Sequence, residues 1–264
     1  MPNETRRGYT VRACRNIDEL AACVRLQQQI WGYTEGEVYP LRLFVNLAHI
    51  GGHVIGAFAR GSTSSHGGEM VGFVAAMPAW RDGRRYLHSL SLGVARGHEN
   101  HGLGRRLKLE QRRLALEAGI RLIEWTFDPL RAKNAFLNLV RLGAITRRYA
   151  PDYYGRVESR LQQGLPSDRL VCEWWLHSAW VQAALRQQGV PRRRNEKRPQ
   201  AEIVIPADFA ALAERDHAEA VRQQRSVRRK FENCFRRGLV VTGFEPGQDF
   251  GYYRLETLHE NKPY

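Results

Sequence analysis

Tyr86-Leu-His-Ser-Leu-Ser-Leu-Gly-Val94 and, shortly after it, Glu99-Asn-His-Gly-Leu-Gly-Arg-Arg-Leu107 decide how this chain is read. The first stretch is an apolar strand. The second is a polar loop holding Gly102 and Gly104 that runs into a basic amphipathic helix. A loop of this kind turns several backbone N–H groups toward one point at a helix N-terminus. Orphan N–H groups and the helix dipole both favour an anion there. Glycines keep side chains out of the way, so a phosphate can reach the main chain. Two other phosphate-binding loops are tested on the same residues. A dinucleotide-type Gly-x-Gly-x-x-Gly needs a third glycine, and Leu107 fills that slot. A P-loop needs Gly-Lys followed by Ser or Thr, which is absent.

Working outward from the loop, the 264 residues allow one large domain or two smaller ones, and a hydrophobic fraction of 43% is ordinary for a globular protein. No apolar run is long enough to cross a bilayer, and the opening Met-Pro-Asn-Glu-Thr-Arg-Arg lacks the apolar core of a signal peptide. The four cysteines, Cys14, Cys23, Cys172 and Cys234, have no metal-ligand spacing. They read as free thiols of a cytoplasmic protein, and no metal is expected. The formal charge of +14 admits three readings: nucleic-acid binding, an arginine-rich surface, or steering of a polyanionic ligand. There is no zinc finger, RNA-recognition signature or helix-turn-helix, so nucleic acid is not expected as the main partner.

The element order follows from periodicity and punctuation. Tyr9 to Ala13 is a short strand. Ile17 to Ile30 is a helix capped by Asn16 or Asp18, and Pro40 opens a second helix. His53 to Ala59 and Met70 to Met77 are strands joined by a hairpin connection over Gly61 to Gly68, and Asp82-Gly83 makes the next turn. Beyond the loop, Leu103, Leu107, Leu114 and Ala118 form one helical stripe that Gly119 ends. Arg121 to Phe127 is a buried strand, and Asp128-Pro129 stops it. A helix from Arg131 to Leu142, a strand from Ala144 with an irregular tip at Tyr154, and an apolar strand from Leu170 to Leu176 follow. The strands before the loop form an antiparallel meander, and Leu103 to Phe127 belongs to a parallel crossover. From Ser178 the character changes. Gln187 to Gln200 is polar and basic, with a dense run from Arg192 to Arg198. Then come a strand (Glu202 to Ile205), a long helix (Asp208 to Arg237, broken near Asp216) and two strands (Leu239 to Phe244; Tyr252 to Leu255). This last piece is either an appended subdomain or an extension of the main sheet.

The element order and the loop resemble the GNAT superfamily of acyl-CoA-dependent N-acyltransferases. A second match, Asn134-Ala-Phe-Leu-Asn-Leu-Val-Arg-Leu-Gly-Ala144, is similar to that superfamily's Asn-Ala-x-x-Leu-Tyr-x-x-x-Gly-Phe helix. The chain departs from the pattern twice. Glu99 stands where an Arg or Gln is usual, and Leu139 stands where the superfamily has the tyrosine that protonates the departing thiolate. The resemblance covers about Tyr9 to Leu176. It implies an α/β (α+β) fold: a mixed, mostly antiparallel sheet with a splayed parallel strand pair and helices on both faces. It divides the chain into an acyl-CoA-binding domain at 1–177, a basic linker at 178–200 and a C-terminal extension or subdomain at 201–264. It further implies acetyl-CoA or another acyl-CoA as co-substrate. Asn100, His101, Gly102, Leu103, Gly104 and Arg105 would meet the diphosphate. Leu92 and Val94 would line the pantetheine arm, and Asn134 would organise it. A backbone N–H near Val94 would stabilise the developing oxyanion.

In such a site a neutral amine attacks the thioester directly, so a proton acceptor and a proton donor are sought. His88 lies six residues before Val94, and period two places both on one face of the strand. A packed, hydrogen-bonded histidine is the structural alternative. Asp128 stands at a strand end, either as a substrate contact or as a turn cap before Pro129. Glu124 and Glu173 sit in apolar strands as a base or as ion-pair partners of arginine. For the missing acid, Tyr149, Tyr153 and Tyr154 are candidates, against a plain packing role. Arg169 is either a fork for a substrate carboxylate or a solvated charge. The expected activity is transfer of an acetyl or other short acyl group to a small-molecule amine. A non-catalytic acyl-CoA-binding module and acylation of a tRNA or protein are the alternatives. A homodimer through the C-terminal segment is compatible with the sequence.

Overall fold

The computed structural model describes residues 8–60, 68–155, 164–187 and 199–258. Most of the connection after Arg60 and the basic run at 192–198 lie outside these residues. The chain falls into two compact units, Met1–Ile123 and Glu124–Tyr264. The sheet is mixed and mostly antiparallel, with one parallel pair.

In the first unit, four antiparallel strands lie side by side in chain order, with two helices between the first and the second. Its elements are β1 (Tyr9–Ala13), α1 (Ile17–Trp31), α2 (Leu41–His49), β2 (His53–Ala59), β3 (Glu69–Arg81), β4 (Arg84–Val94) and α3 (Leu103–Glu117). Val11 faces Ala57, Ile55 faces Val74 and Pro78 faces Leu87, all antiparallel. Asn16 caps α1, its Oδ1 accepting the Glu19 N–H at 3.0 Å. The Glu19 carboxylate accepts both Arg12 guanidinium contacts at 2.7 and 2.9 Å, and the Arg12 bond holds its pKa below the usual carboxylate value. Successive residues of β3 serve opposite faces. Phe73 and Ala75 pack with Leu20, Cys23, Leu26, Phe44 and Leu47 of α1 and α2. Val74 packs with Leu103 and Leu107 of α3 on the other side. These strands are therefore covered on both faces, as period-two strands with two apolar sides require. Gly119, at φ 71°, closes α3, and the Ile120 N–H returns to the Ala115 carbonyl at 2.8 Å.

The second unit holds β5 (Leu122–Phe127), α4 (Ala132–Ala135) continued by a π-helical stretch (Phe136–Arg141), β6 (Ile145–Ala150), β7 (Arg169–Trp175) and α5 (Ala179–Gln187). After these come β8 (Ala201–Pro206), α6 (Phe209–Arg215), α7 (His217–Arg236), β9 (Leu239–Pro246) and β10 (Phe250–Thr257). Its strand order is β5-β7-β6-β9-β10-β8. Thr146 of β6 pairs with Val241 of β9, so the C-terminal strands continue the sheet of this unit. The long helix breaks at Asp216, whose Oδ1 accepts the Glu219 N–H at 2.9 Å and starts α7 anew. Two features differ from the sequence reading. Residues 179–187, read as the start of a linker, form α5 and bury Val181 and Ala184. The helix after Asp128-Pro129 is α-helical only at its start, and the Leu142 N–H reaches back to the Leu137 carbonyl at 3.0 Å. The core of this unit is aromatic. Phe231 of α7 stacks on Tyr149 at 5.7 Å and meets Tyr253 edge-on at 5.1 Å. Trp174 is fully buried and donates its indole N–H to the Leu142 carbonyl at 2.8 Å.

Tyr253 is 0% exposed and donates to the Pro129 carbonyl at 2.7 Å. Tyr253→Phe leaves that carbonyl buried without its partner and is expected to cost about 1–2 kcal/mol, read by urea denaturation. His53 gives a second test. Burial holds its pKa at about 4, below the ordinary 6.5. The unfolded chain therefore binds the extra proton first as pH falls. Stability should drop between pH 6.5 and about 4, with a limiting slope of about 1.4 kcal/mol per pH unit. His53→Gln should flatten that part of the pH–stability curve.

Candidate functional site

Strand β4 carries an irregularity that sequence periodicity does not reveal. Ala75 faces Ser91 but Ala76 faces Ser89, so Leu90 is the extra residue of a β-bulge. The bulge changes which side chains share a face. His88 faces Met77 and Val94 faces Gly72, and these partners are an odd number of residues apart on β3. His88 and Val94 therefore lie on opposite faces, which corrects the same-face expectation. Met77 and Leu90 pack toward α1 and α2, whereas Leu92 and Val94 pack toward α3. His88 is half-buried on the α1–α2 side. Gly93 permits a close approach on that side: a Cβ there would lie 2.8 Å from Ile30 and 3.0 Å from Trp31.

The loop after β4 ends in a bare helix start. Gly102 is the N-cap of α3 at φ 72°, with no side-chain cap bond and no acidic residue in the first turn. Its carbonyl accepts the Arg106 N–H at 3.0 Å. Asn100 also has positive φ (63°). Arg105 and Arg106 stand in the first turn, where a cation costs a helix about 0.3–1 kcal/mol through the macrodipole. A side-chain cap, worth about 1 kcal/mol, is also forgone. Both costs are offset when an anion sits on the helix end, so the residues present fit a diphosphate. Glu99, the departure from the loop signature, is exposed to solvent, as are Asn100, His101 and Gly102. The loop is braced from β1. Tyr9 hydrogen-bonds His98 Nδ1 at 3.1 Å, its ring meets that of His101 at 5.9 Å, and its carbonyl accepts Arg106 Nη2 at 2.9 Å. Beneath, Lys108 is 1% exposed. It donates to Ser89 Oγ and Gln111 Oε1, each at 3.0 Å, and so ties α3 to β4. Nothing in the hydrophobic pattern marks this lysine as buried.

The second unit holds the other candidates. Asp128 Oδ1 accepts the Leu130 N–H at 2.8 Å and Oδ2 lies 3.5 Å from Arg131 Nε, so its carboxylate serves the turn before Pro129's helix. Asn134 is exposed on α4. Leu139 is completely buried. Glu124 and Glu173 are ion-paired, to Arg148 at 2.8 Å and Arg147 at 3.2 Å. The tyrosines separate clearly. Tyr149 donates to Asp168 Oδ2 at 2.7 Å, and burial, reinforced by that carboxylate, pushes its pKa far up. Its proton is held by the fold. Tyr153 and Tyr154 are each 45% exposed, and the Tyr154 hydroxyl lies 2.9 Å from Thr126 Oγ1 of β5. Arg169 places its guanidinium 5.2 Å from the Tyr154 ring centroid. Asp168, Ser167, Gln224 and Arg228, which organise this region, were given no role by sequence reasoning. Nothing in the sequence sets Arg228 apart from the other cations of α7. Among the described residues no group of His, Cys, Asp and Glu is placed to hold a metal ion. No described helix is long and apolar enough to cross a membrane.

Comparison with known proteins places the fold. Residues 59–139 match the model of the acetyltransferase (GNAT) family. No curated protein matches the chain at the level of sequence. Among solved structures, NAA60 of Arabidopsis thaliana bound to acetyl-CoA is similar at 17% identity and a TM-score of 0.52, over 63% of this chain and 98% of that one. The same protein with a bisubstrate analogue gives 18% identity and a TM-score of 0.51, over the same shares of the two chains. yncA of Salmonella typhimurium, a putative acetyltransferase with acetyl-CoA, gives 18% and 0.50 over 64% and 94%. At this identity the likeness speaks for the fold.

Gly102 sits at φ 72° with nothing within 4 Å of a Cβ, so only the backbone resists a side chain there. Gly102→Val is expected to cost about 1–2 kcal/mol. Gly102→Asn, which tolerates the left-handed region, should cost less than half of that. Chemical denaturation of the two variants checks the order.

Proposed function

Taking as premise that residues 59–139 carry a GNAT acetyltransferase segment, we propose that this chain moves an acetyl or other short acyl group from coenzyme A to the amine of a small metabolite. The observation that carries the reading is the glycine-capped, cap-free start of α3 at the end of a bulged β4. The main-chain N–H groups of Leu103, Gly104 and Arg105 would hold the diphosphate, with Asn100, His101 and Gly102 forming the rim. Leu92 and Val94 would line the pantetheine arm, with Asn134 organising it. Coenzyme A supplies an activated thioester carbonyl. An extra residue in β4 frees main-chain N–H from the ladder, and such a donor near Leu90 to Val94 stabilises negative charge on that carbonyl oxygen.

For the protons, His88 is the proposed acceptor from the attacking amine. It is half-buried on the α1–α2 face beside the bulge, where an imidazole can accept a proton from an amine. Tyr154 is the proposed donor to the leaving thiolate, because its hydroxyl is exposed whereas that of Tyr149 is spent on Asp168. Asp128 is proposed to contribute by shaping the end of β5 through its turn.

The test has two arms. Calorimetric titration with acetyl-CoA should show binding, and Gly104→Val should weaken it by at least about tenfold while the circular dichroism spectrum and Tm are kept. Unchanged affinity in that variant removes the α3 site. Release of free thiol with a panel of small amines should show turnover, and His88→Ala should lower kcat by about a hundredfold. Binding without turnover of any amine would favour the non-catalytic reading to which the buried Leu139 points.

A further inference from the structure

Two side chains of α7 reach out of the C-terminal segment onto one short stretch of chain. Gln224 and Arg228 are one helical turn apart and so share a face. Gln224 is 4% exposed and donates to the Pro166 carbonyl at 2.7 Å. Arg228 donates Nε and Nη2 to the two oxygens of Asp168, at 2.9 and 2.5 Å. Asp168 is 0% exposed and also accepts the Tyr149 hydroxyl at 2.7 Å and the Asp152 N–H at 3.0 Å. Arg228 is held charged by this pairing, its pKa raised chiefly through the bond to Asp168.

The neighbouring Ser167 carries the restraint onward. Its carbonyl accepts the Tyr153 N–H at 3.0 Å, and its Oγ accepts the Tyr154 N–H at 2.8 Å. Its own N–H goes to Asp152 Oδ1 at 3.0 Å, and its hydroxyl donates to the Gly155 carbonyl at 3.0 Å. The turn from Asp152 to Gly155 is thus fastened residue by residue to Ser167 and Asp168, and these are fastened to α7. At the tip stand the exposed Tyr153 and Tyr154, ring against ring at 4.7 Å, with the Tyr154 hydroxyl on Thr126.

We propose that Arg228 is a positioning residue for acyl transfer: through Asp168 it fixes the Asp152–Gly155 turn, so that Tyr154, the proposed proton donor to the thiolate, is held at β5 where the amine would meet the thioester. This rests on the acyltransferase reading above for its functional half. The bidentate fork matters. A guanidinium meets both carboxylate oxygens in one plane, whereas a lysine ammonium is a single point of charge. The C-terminal segment then acts on the transfer step, through Tyr154 and the approach of the amine, and not on the affinity for the acyl donor.

The experiment uses the full chain with Arg228→Leu, Arg228→Lys and Asp168→Asn, and with Arg222→Ala as a control on the exposed side of α7. Hydrogen exchange is followed in the peptide spanning residues 150–156, and kcat and KM for an amine that turns over are measured beside the affinity for acetyl-CoA. Arg228→Leu and Asp168→Asn should speed exchange in that peptide by about tenfold or more. They should lower kcat and raise the amine KM, each by about tenfold, while acetyl-CoA affinity and the control stay unchanged. Arg228→Lys should recover part of each effect. If Arg228→Leu does not fold, the lysine and asparagine variants decide. Unchanged exchange at the turn overturns the proposal, and so does a loosened turn with unaltered kcat and amine KM. A wild-type chain that binds no acetyl-CoA sinks the acyltransferase reading instead, while the exchange result still judges the brace.

Discussion

Main-chain N–H groups at the start of α3 need acceptors, and no side chain caps them. Much of the first unit can be understood as serving that open end. Leu103 and Leu107 bury the first turns of α3 against Val71 and Val74, so the helix end is fixed although it is uncapped. Lys108 and Gln111 tie the next turn to Ser89 on β4. Tyr9 and His98 hold the loop that leads in. Two arginines in the first turn make the end still more attractive to an anion. A helix built for stability alone would carry Ser or Asp at the cap and acid in the first turn. This one gives up those contributions, and the rigid packing around it makes up for the loss.

The bulge at Leu90 is the second constraint, and it acts on direction. An inserted residue bends β4 and reverses the alternation, so that side chains before and after it serve different faces. His88 consequently belongs with Met77 and the α1–α2 cluster, whereas Leu92 and Val94 belong with α3. A half-buried imidazole on one side and apolar side chains on the other thus belong to a single strand. Gly93 lets Ile30 and Trp31 at the end of α1 close in beside it.

In the second unit a buried charge does comparable work. A carboxylate that is 0% exposed is tolerated only because it is fully partnered, and Asp168 collects donors from Arg228, Tyr149 and Asp152. That arrangement engages the Tyr149 hydroxyl with Asp168, whereas Tyr154 is 45% exposed. It also makes the C-terminal segment integral: α7, β9 and β10 complete the sheet and share one aromatic core with β6. An aligned fold alone would treat that segment as an appendage.

Local chemistry made much of this legible in advance. Glycines at Gly102 and Gly119, Asn16 before Glu19, the stop at Asp128-Pro129 and the break at Asp216 are short-range signals, and each depends on a few neighbouring residues. The order of most strands and helices and the glycine start of α3 belong to what the sequence by itself determined, and the arginine pairing of Glu124 and Glu173 was one of the two readings it allowed. Tertiary structure alone decided the face of His88, because one extra residue in a strand leaves no mark in hydropathy yet inverts every later side chain. It alone buried Lys108 and joined Arg228 to Asp168 across sixty positions, because such pairings depend on where two distant segments meet and not on what surrounds either in the chain.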